Sequence, residues 1–367
     1  MCRFLSIFFV SILIVFSLSF AVGAIDVSAS YSVLIECDSL DVVFEKNANL
    51  PVGMASTTKI MTAIVALESE IPLDKVVKIP KEAIGIEGSS IYLKDGEELT
   101  IEDLLYALLL ESANDAAVAL AIACYENVDN FVSKMNEKAA DLGLTQTHFT
   151  NPHGLDDAEH YTTATELAKI AIYAMKNPVF SEIVSTQKRV IPLFDDGSRV
   201  LINHNKLLKS CEGVNGIKTG FTKKCGRCLV SSCERDGVKM VAVTLKAPND
   251  WLDHKNLYDY GFSLYENIKL ANAGDYQISL STVNGSINNV LCSNLEGLNI
   301  TLKRGDNNIS AELEANRLVP APISQGDYLG QVVFKNNGKI IGKLGLYALY
   351  DVKEINYKKS IFEGLFK

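Results

Sequence analysis

The strongest constraint on the fold is a double change in the period of the apolar residues. They alternate from about residue 31 to 51, recur at helical spacing between about 56 and 176, and alternate again from about 183 to 246. Helices enclosed by strands do not make the repeating strand-helix units of a doubly wound sheet, so the order implies an α+β domain. Its first part, SYSVLIECDSLDVVFEKNANLPVG, reads as two strands around the turn-prone Asp38 to Asp41, ending at Pro51. A helix is expected from about Ser56 to Glu68. TIEDLLYALLLESANDAAVALAIACYE reads as two helices, opened by Thr100 with Asp103 and interrupted between Ser112 and Asp115. Residues 129 to 142 and 163 to 176 predict amphipathic helices. GVNGIKTGFT, CGRCLVSSCERDG and KMVAVTLKA predict strands broken at Asp236-Gly237, followed by a last helix around 250 to 266.

At 367 residues the chain exceeds one ordinary core, and the pattern divides it near residue 270. Residues 25–269 form the α+β part. Residues 270–350, with turn signals at Asn284-Gly285, Asp306-Asn307 and Asn337-Gly338, predict a small all-β domain of sandwich type. Residues 1–24 carry one arginine, an apolar run and the small residues Val22 and Ala24, as a cleavable export signal does. An uncleaved membrane anchor is the alternative. Residues 351–367 set Ile355, Ile361, Phe362, Leu365 and Phe366 against Lys353, Lys358, Lys359 and Lys367, which suits a helix lying on a membrane surface. A tail packed locally is the alternative.

The net charge of -9 argues against nucleic acid as the main partner. With Cys2 in the leader, Cys37, Cys124, Cys211, Cys225, Cys228, Cys233 and Cys292 remain, an odd number that excludes complete pairing within one chain. CGRC at 225–228 has neither a second C-x-x-C nor a histidine pair beside it. Free, mostly buried thiols are therefore expected, and no metal or cofactor is implied.

Chemistry concentrates in three short segments. In MASTTKIMTA, Ser56 and Lys59 lie three residues apart and share a helix face, at a helix start whose free N–H groups favour a developing anion. For Lys59 to take a proton from Ser56 near neutrality, its pKa must fall by about 3 units, roughly 4 kcal/mol. Burial contributes, and a second cation nearby contributes more. GVNGIKTGFT offers that cation in Lys218, with Thr219 beside it and Gly220 allowing a substrate backbone to approach closely. A solvated lysine on a hairpin edge is the plain alternative. In ESANDAA, Ser112 is placed to relay a proton and Asn114 to hold a substrate carbonyl, against simple helix capping. Each signal is weak alone, as the decoys STQK at 185–188 and SIN at 286–288 show.

Taken together and in this order, S-x-x-K, S-x-N and K-T-G form the set of penicillin-binding proteins and class A β-lactamases. With THFTNPHGLD, YTTATELA and LYDYGF, the chain resembles the low-molecular-weight penicillin-binding proteins that are D-alanyl-D-alanine carboxypeptidases. The resemblance implies a serine transpeptidase/β-lactamase-like domain, a five-stranded antiparallel sheet with helices, followed by a β-rich domain and a membrane-associating helix. It implies Ser56 as the acylated nucleophile, Lys59 as its base and Ser112 as the relay. Asn114, Lys218, Thr219, Gly220 and Phe221 would bind substrate, with an oxyanion hole from the N–H groups of Ser56 and Phe221. The implied partners are peptidoglycan stem peptides ending in D-Ala-D-Ala, β-lactam antibiotics and the membrane surface. His153, in the NPHGLD loop, reads as structural. His204 stands in NHNKLL where some relatives carry arginine. The alternatives are a β-lactamase, against which Ala113 speaks because class A enzymes have aspartate there, and a non-catalytic wall-binding scaffold.

Overall fold

The structure, a computed structural model, describes residues 25–192, 197–306 and 308–355. The expected leader and residues 356–367 of the expected terminal helix lie outside the described residues.

A five-stranded antiparallel sheet organises the first domain. Its order is Val42–Lys46, Tyr31–Glu36, Val238–Leu245, Gly226–Arg235, Val214–Thr222, so the strand that opens the domain pairs with the last of its strands. Alternation explains why nearly every residue of VAVTL is apolar: both faces are covered. Val33, Ile35, Val241 and Val243 face the helical block, whereas Leu34, Met240 and Ala242 pack with Leu257 and Tyr258 of the helix Asp250–Leu264. The turn at Asp236-Gly237 has both φ angles positive, 50° and 79°, as a two-residue hairpin requires.

The helical block comprises α1 (Lys59–Leu67), α2 (Ile101–Leu110), α3 (Asn114–Tyr125), α4 (Val128–Asp141), α5 (Ala164–Met175) and α6 (Pro178–Ser185). Its helix starts follow local chemistry: the Thr100 hydroxyl accepts from Asp103 N–H at the start of α2, and Thr163 accepts from Glu166 N–H at α5. Helix α6 was not expected. Asn177 caps it, with Pro178 in its first turn, before a separate hairpin of Lys188–Pro192 with Ser198–Ile202.

The second domain starts at Tyr265, slightly before the expected division, because Tyr265–Ala271 already pairs with Leu298–Lys303. These strands accompany a six-stranded sheet around a core that includes Leu280, Val290, Val332, Phe334 and Leu346. It leans on the first hairpin of the first domain: Thr301 donates to Asp38 at 3.2 Å and the Tyr265 hydroxyl to Asp41 at 3.1 Å. The expected helix from residue 351 is corrected over its described part. Val352 and Glu354 make β-bridges to Ile323 and Gly285, so backbone pairing with the sheet holds 351–355 extended.

Candidate active site

Ser56 does not sit on the α-helix itself, as the spacing suggested, but on a 3-10 turn, Ala55–Thr58, that leads into α1. The shared face survives, because residues i and i+3 eclipse in a 3-10 turn. The turn is closed locally: the Thr57 hydroxyl donates to Met54 O at 2.6 Å and the Thr58 hydroxyl to Ala55 O at 2.8 Å. Ala55 has a φ of 48°, a left-handed conformation that costs an alanine energy and is held by its surroundings. Gly154 is one such surrounding. A Cβ there would lie 2.0 Å from Ala55 O.

Lys59 is completely buried, yet among the described residues no carboxylate bonds its amine. Nζ lies 2.6 Å from Asn114 Oδ1, 2.6 Å from the carbonyl oxygen of His153 and 3.1 Å from Ser56 Oγ. Two of these neighbours can only accept. As an ammonium Lys59 donates to all three oxygens; once neutral, with two N–H bonds and one lone pair, it can give both hydrogens to the carbonyls and keep the lone pair for the Ser56 hydroxyl. Burial first, then the charge of Lys218, hold the Lys59 pKa well below the usual lysine value, against a weaker opposing pull from Asp115. Lys218 is no solvated edge residue. It is 1% exposed, donates to Thr219 O at 2.9 Å, and is pushed down to about 7 by burial, with Glu111 opposing.

Ser112 and Asn114 come from the sharp junction of α2 and α3, where Ser112 has a φ of 60°. Asn114 N–H donates to Ser89 O, and its side-chain amide donates to Glu87 O at 2.5 Å while accepting from Lys59. Asp115 fastens the facing loop through Ser90 Oγ and the N–H groups of Ile91 and Leu93. Ser56, Ser112, Thr219, Gly220 and Phe221 line one cleft of about 350 Å³. The structure thus brings the three segments together.

Gly220 also has a neighbour within the chain. A Cβ there would stand 3.0 Å from Ser56 N and 3.1 Å from Thr57 N, so the glycine admits the turn that carries Ser56. Gly220→Ala is therefore expected to displace that turn and to slow acylation by a β-lactam about 10- to 100-fold, since small misplacements of reacting groups are costly. Wild-type rates in that variant would refute this role.

His153 contributes its carbonyl, which sequence patterns do not reveal. Its ring accepts from Leu155 N–H at 3.2 Å and is held down to about 3 by burial and by Lys59. His160, bonded to the Thr58 hydroxyl at 2.7 Å, is held down to about 4 by burial. His204 lies 3.1 Å from Glu111. All seven cysteines among the described residues are free thiols. Burial pushes the Cys228 thiol up to about 12.

A buried lysine aimed at a serine on a tight turn, beside the edge strand of an antiparallel sheet, defines an active-site serine hydrolase of the penicillin-binding class. Comparison with known proteins makes this specific. The D-alanyl-D-alanine carboxypeptidase family matches residues 19–249, and the penicillin-binding protein 5 C-terminal domain matches residues 265–354; the chain belongs to this carboxypeptidase family. It is 31% identical over 338 residues to D-alanyl-D-alanine carboxypeptidase DacF of Bacillus subtilis, covering 90% of this chain and 87% of that one. It is 30% identical over 362 residues to DacA of Haemophilus influenzae, covering 95% and 91%. The crystal structure of penicillin-binding protein 5 from Haemophilus influenzae superposes with a TM-score of 0.67 at 29% identity, covering 90% of this chain and 99% of that chain. The protein is a serine-type D-alanyl-D-alanine carboxypeptidase, a peptidase that works through an acyl-enzyme.

Proposed function

We propose that Ser56 attacks the penultimate carbonyl of a peptidoglycan stem peptide ending in D-Ala-D-Ala, with Lys59 taking its proton. Ser112 passes that proton to the departing D-alanine, and water then clears the acyl-enzyme. Asn114, Lys218, Thr219, Gly220 and Phe221 form the substrate cleft, with the N–H groups of Ser56 and Phe221 as oxyanion donors. The observation that carries this reading is the convergence on the buried Lys59 amine of Ser56 Oγ at 3.1 Å and two acceptor-only carbonyl oxygens at 2.6 Å, an arrangement that in the neutral amine leaves the lone pair for Ser56. A β-lactam presents a strained amide to the same cleft and acylates the same oxygen. The reading places the chain outside the cytoplasmic membrane, with residues 1–24 removed on export and the basic, apolar tail resting on the membrane surface.

One measurement tests most of this. The intact mass of protein recovered from the extracytoplasmic fraction should correspond to a chain starting at Ile25 and should rise by one penicillin after treatment, with the adduct on Ser56. The adduct should persist through washing. Its rapid loss would favour a β-lactamase, and an adduct on another residue would remove Ser56 from the role.

A further inference from the structure

The cleft around Ser56 has a second wall that the three segments do not supply. Arg227, Asp250 and Trp251 line it together with Ser56 and Thr219. Arg227 is the second residue of the strand Gly226–Arg235 and stands directly across from Phe221, while Thr219 stands across from Leu229. Side chains alternate along strands, so Arg227, Phe221 and Thr219 share one face. Arg227 is the diagonal neighbour of Thr219, about 7–8 Å away, within reach of an arginine side chain.

The guanidinium is held in place. Nε and Nη2 donate to Asp250 Oδ1 at 3.0 and 2.8 Å, and the group lies over the Trp251 ring at 5.6 Å from its centroid. Asp250 opens the helix Asp250–Leu264 and its side chain is 3% exposed, whereas that of Arg227 is 42% exposed. Asp250 therefore sits behind the guanidinium, fixing one edge. Of the five N–H bonds an arginine carries, three remain for a ligand, already oriented. The neighbouring cations are less suited. His204 is tied to Glu111, Lys218 is buried and bonded to Thr219 O, and Lys206 is an exposed point charge.

We propose that Arg227 binds the terminal carboxylate of the peptide through those free N–H groups, beside the Thr219 hydroxyl, and thereby sets the preference for a free C-terminal acid. This rests on the carboxypeptidase reading and assigns a specificity-determining residue within it. A carboxylate matches the planar fork, and a carboxamide, uncharged and carrying two N–H donors, does not.

The test compares a peptide ending in D-Ala-D-Ala as free acid with its C-terminal amide, following release of D-alanine or D-alaninamide. Wild-type protein should prefer the acid. Arg227→Gln should lower kcat/KM for the acid by about 10- to 100-fold, with little change for the amide. Arg227→Lys should retain part of the preference, because an ammonium attracts the carboxylate without the bidentate geometry. Each protein supplies its own ratio, so a general loss of activity does not imitate the effect, and if Arg227→Gln fails to fold, Arg227→Lys decides. An unchanged acid-to-amide ratio in the folded variants overturns the assignment while the carboxypeptidase reading stands. A wild type that neither releases D-alanine nor forms an adduct on Ser56 overturns both. Trp251 is the chain's single tryptophan, which gives a second readout. In Ser56→Ala protein its emission should respond to the acid peptide and not to the amide; an equal response to both counts against Arg227.

Discussion

Lys59→Ala is expected to slow acylation of Ser56 by a β-lactam about 10³- to 10⁴-fold, the upper range for removal of a general base. The expectation follows from bonding more than from proximity. Once neutral, the Lys59 amine can give both its hydrogens to Asn114 Oδ1 and the His153 carbonyl and keep its lone pair for Ser56 Oγ. The two buried histidines near the site do not compensate, being held down to about 3 and about 4 and bonded to other groups. The fold should persist, because alanine is a good helix former at the start of α1 and the change removes a buried amine. Rapid-mixing kinetics with a chromogenic or fluorescent β-lactam, alongside near-UV circular dichroism, would measure both. Acylation within tenfold of wild type in a folded variant would show that another group takes the proton.

The second large effect concerns Lys218→Met and has opposite signs for activity and stability. Loss of a cation from the cleft should reduce acylation by about 10²- to 10³-fold, the range seen for electrostatic stabilisers of developing charge. It also removes a like charge from beside Lys59, so the acid limb of the rate profile should move to higher pH. For stability, the Lys218 pKa falls from the unfolded value of about 10.4 to about 7 in the fold. The unfolded chain then binds more protons between these values. Stability consequently rises with pH across that window, and the cost of the buried group, about 4–5 kcal/mol, is fully present only below about pH 7. Methionine fills similar volume without that cost. Thermal unfolding should show Lys218→Met more stable than wild type near pH 6, with the difference closing toward pH 10. A difference that grows with pH would mean that Lys218 is charged and well paired in the fold.

Much of this was readable from residue order, and the gaps have physical causes. Strands at 31–46 and 214–245 and the helices at 101–110, 128–141 and 164–175 announce themselves through period, and the first of these helices also through its cap at Thr100, because those signals are local. The three segments proposed for the chemistry are legible because such chemistry needs fixed residue types at fixed spacing. The carbonyl of His153 is invisible in sequence, since every residue has a carbonyl and only folding selects one. Gly220 reads as a glycine that admits a substrate backbone, and the close approach of Gly154 and Gly220 to residues 55–57 is not visible in sequence because it depends on tertiary packing. Arg227 sits within CGRC, where the cysteines attract notice, and its meeting with Asp250 exists only once the strand and the following helix are together.

The pairing of Tyr31–Glu36 with Val238–Leu245 has a consequence for how the molecule is made. A central strand near the start of the domain waits for a partner roughly 200 residues downstream, so closure of the sheet pays the loop entropy of nearly the whole domain and comes late. Until then the Lys218 strand has no firm platform and the reactive centre does not exist. Synthesis can therefore proceed well past Ser56 while the polypeptide is still an open chain.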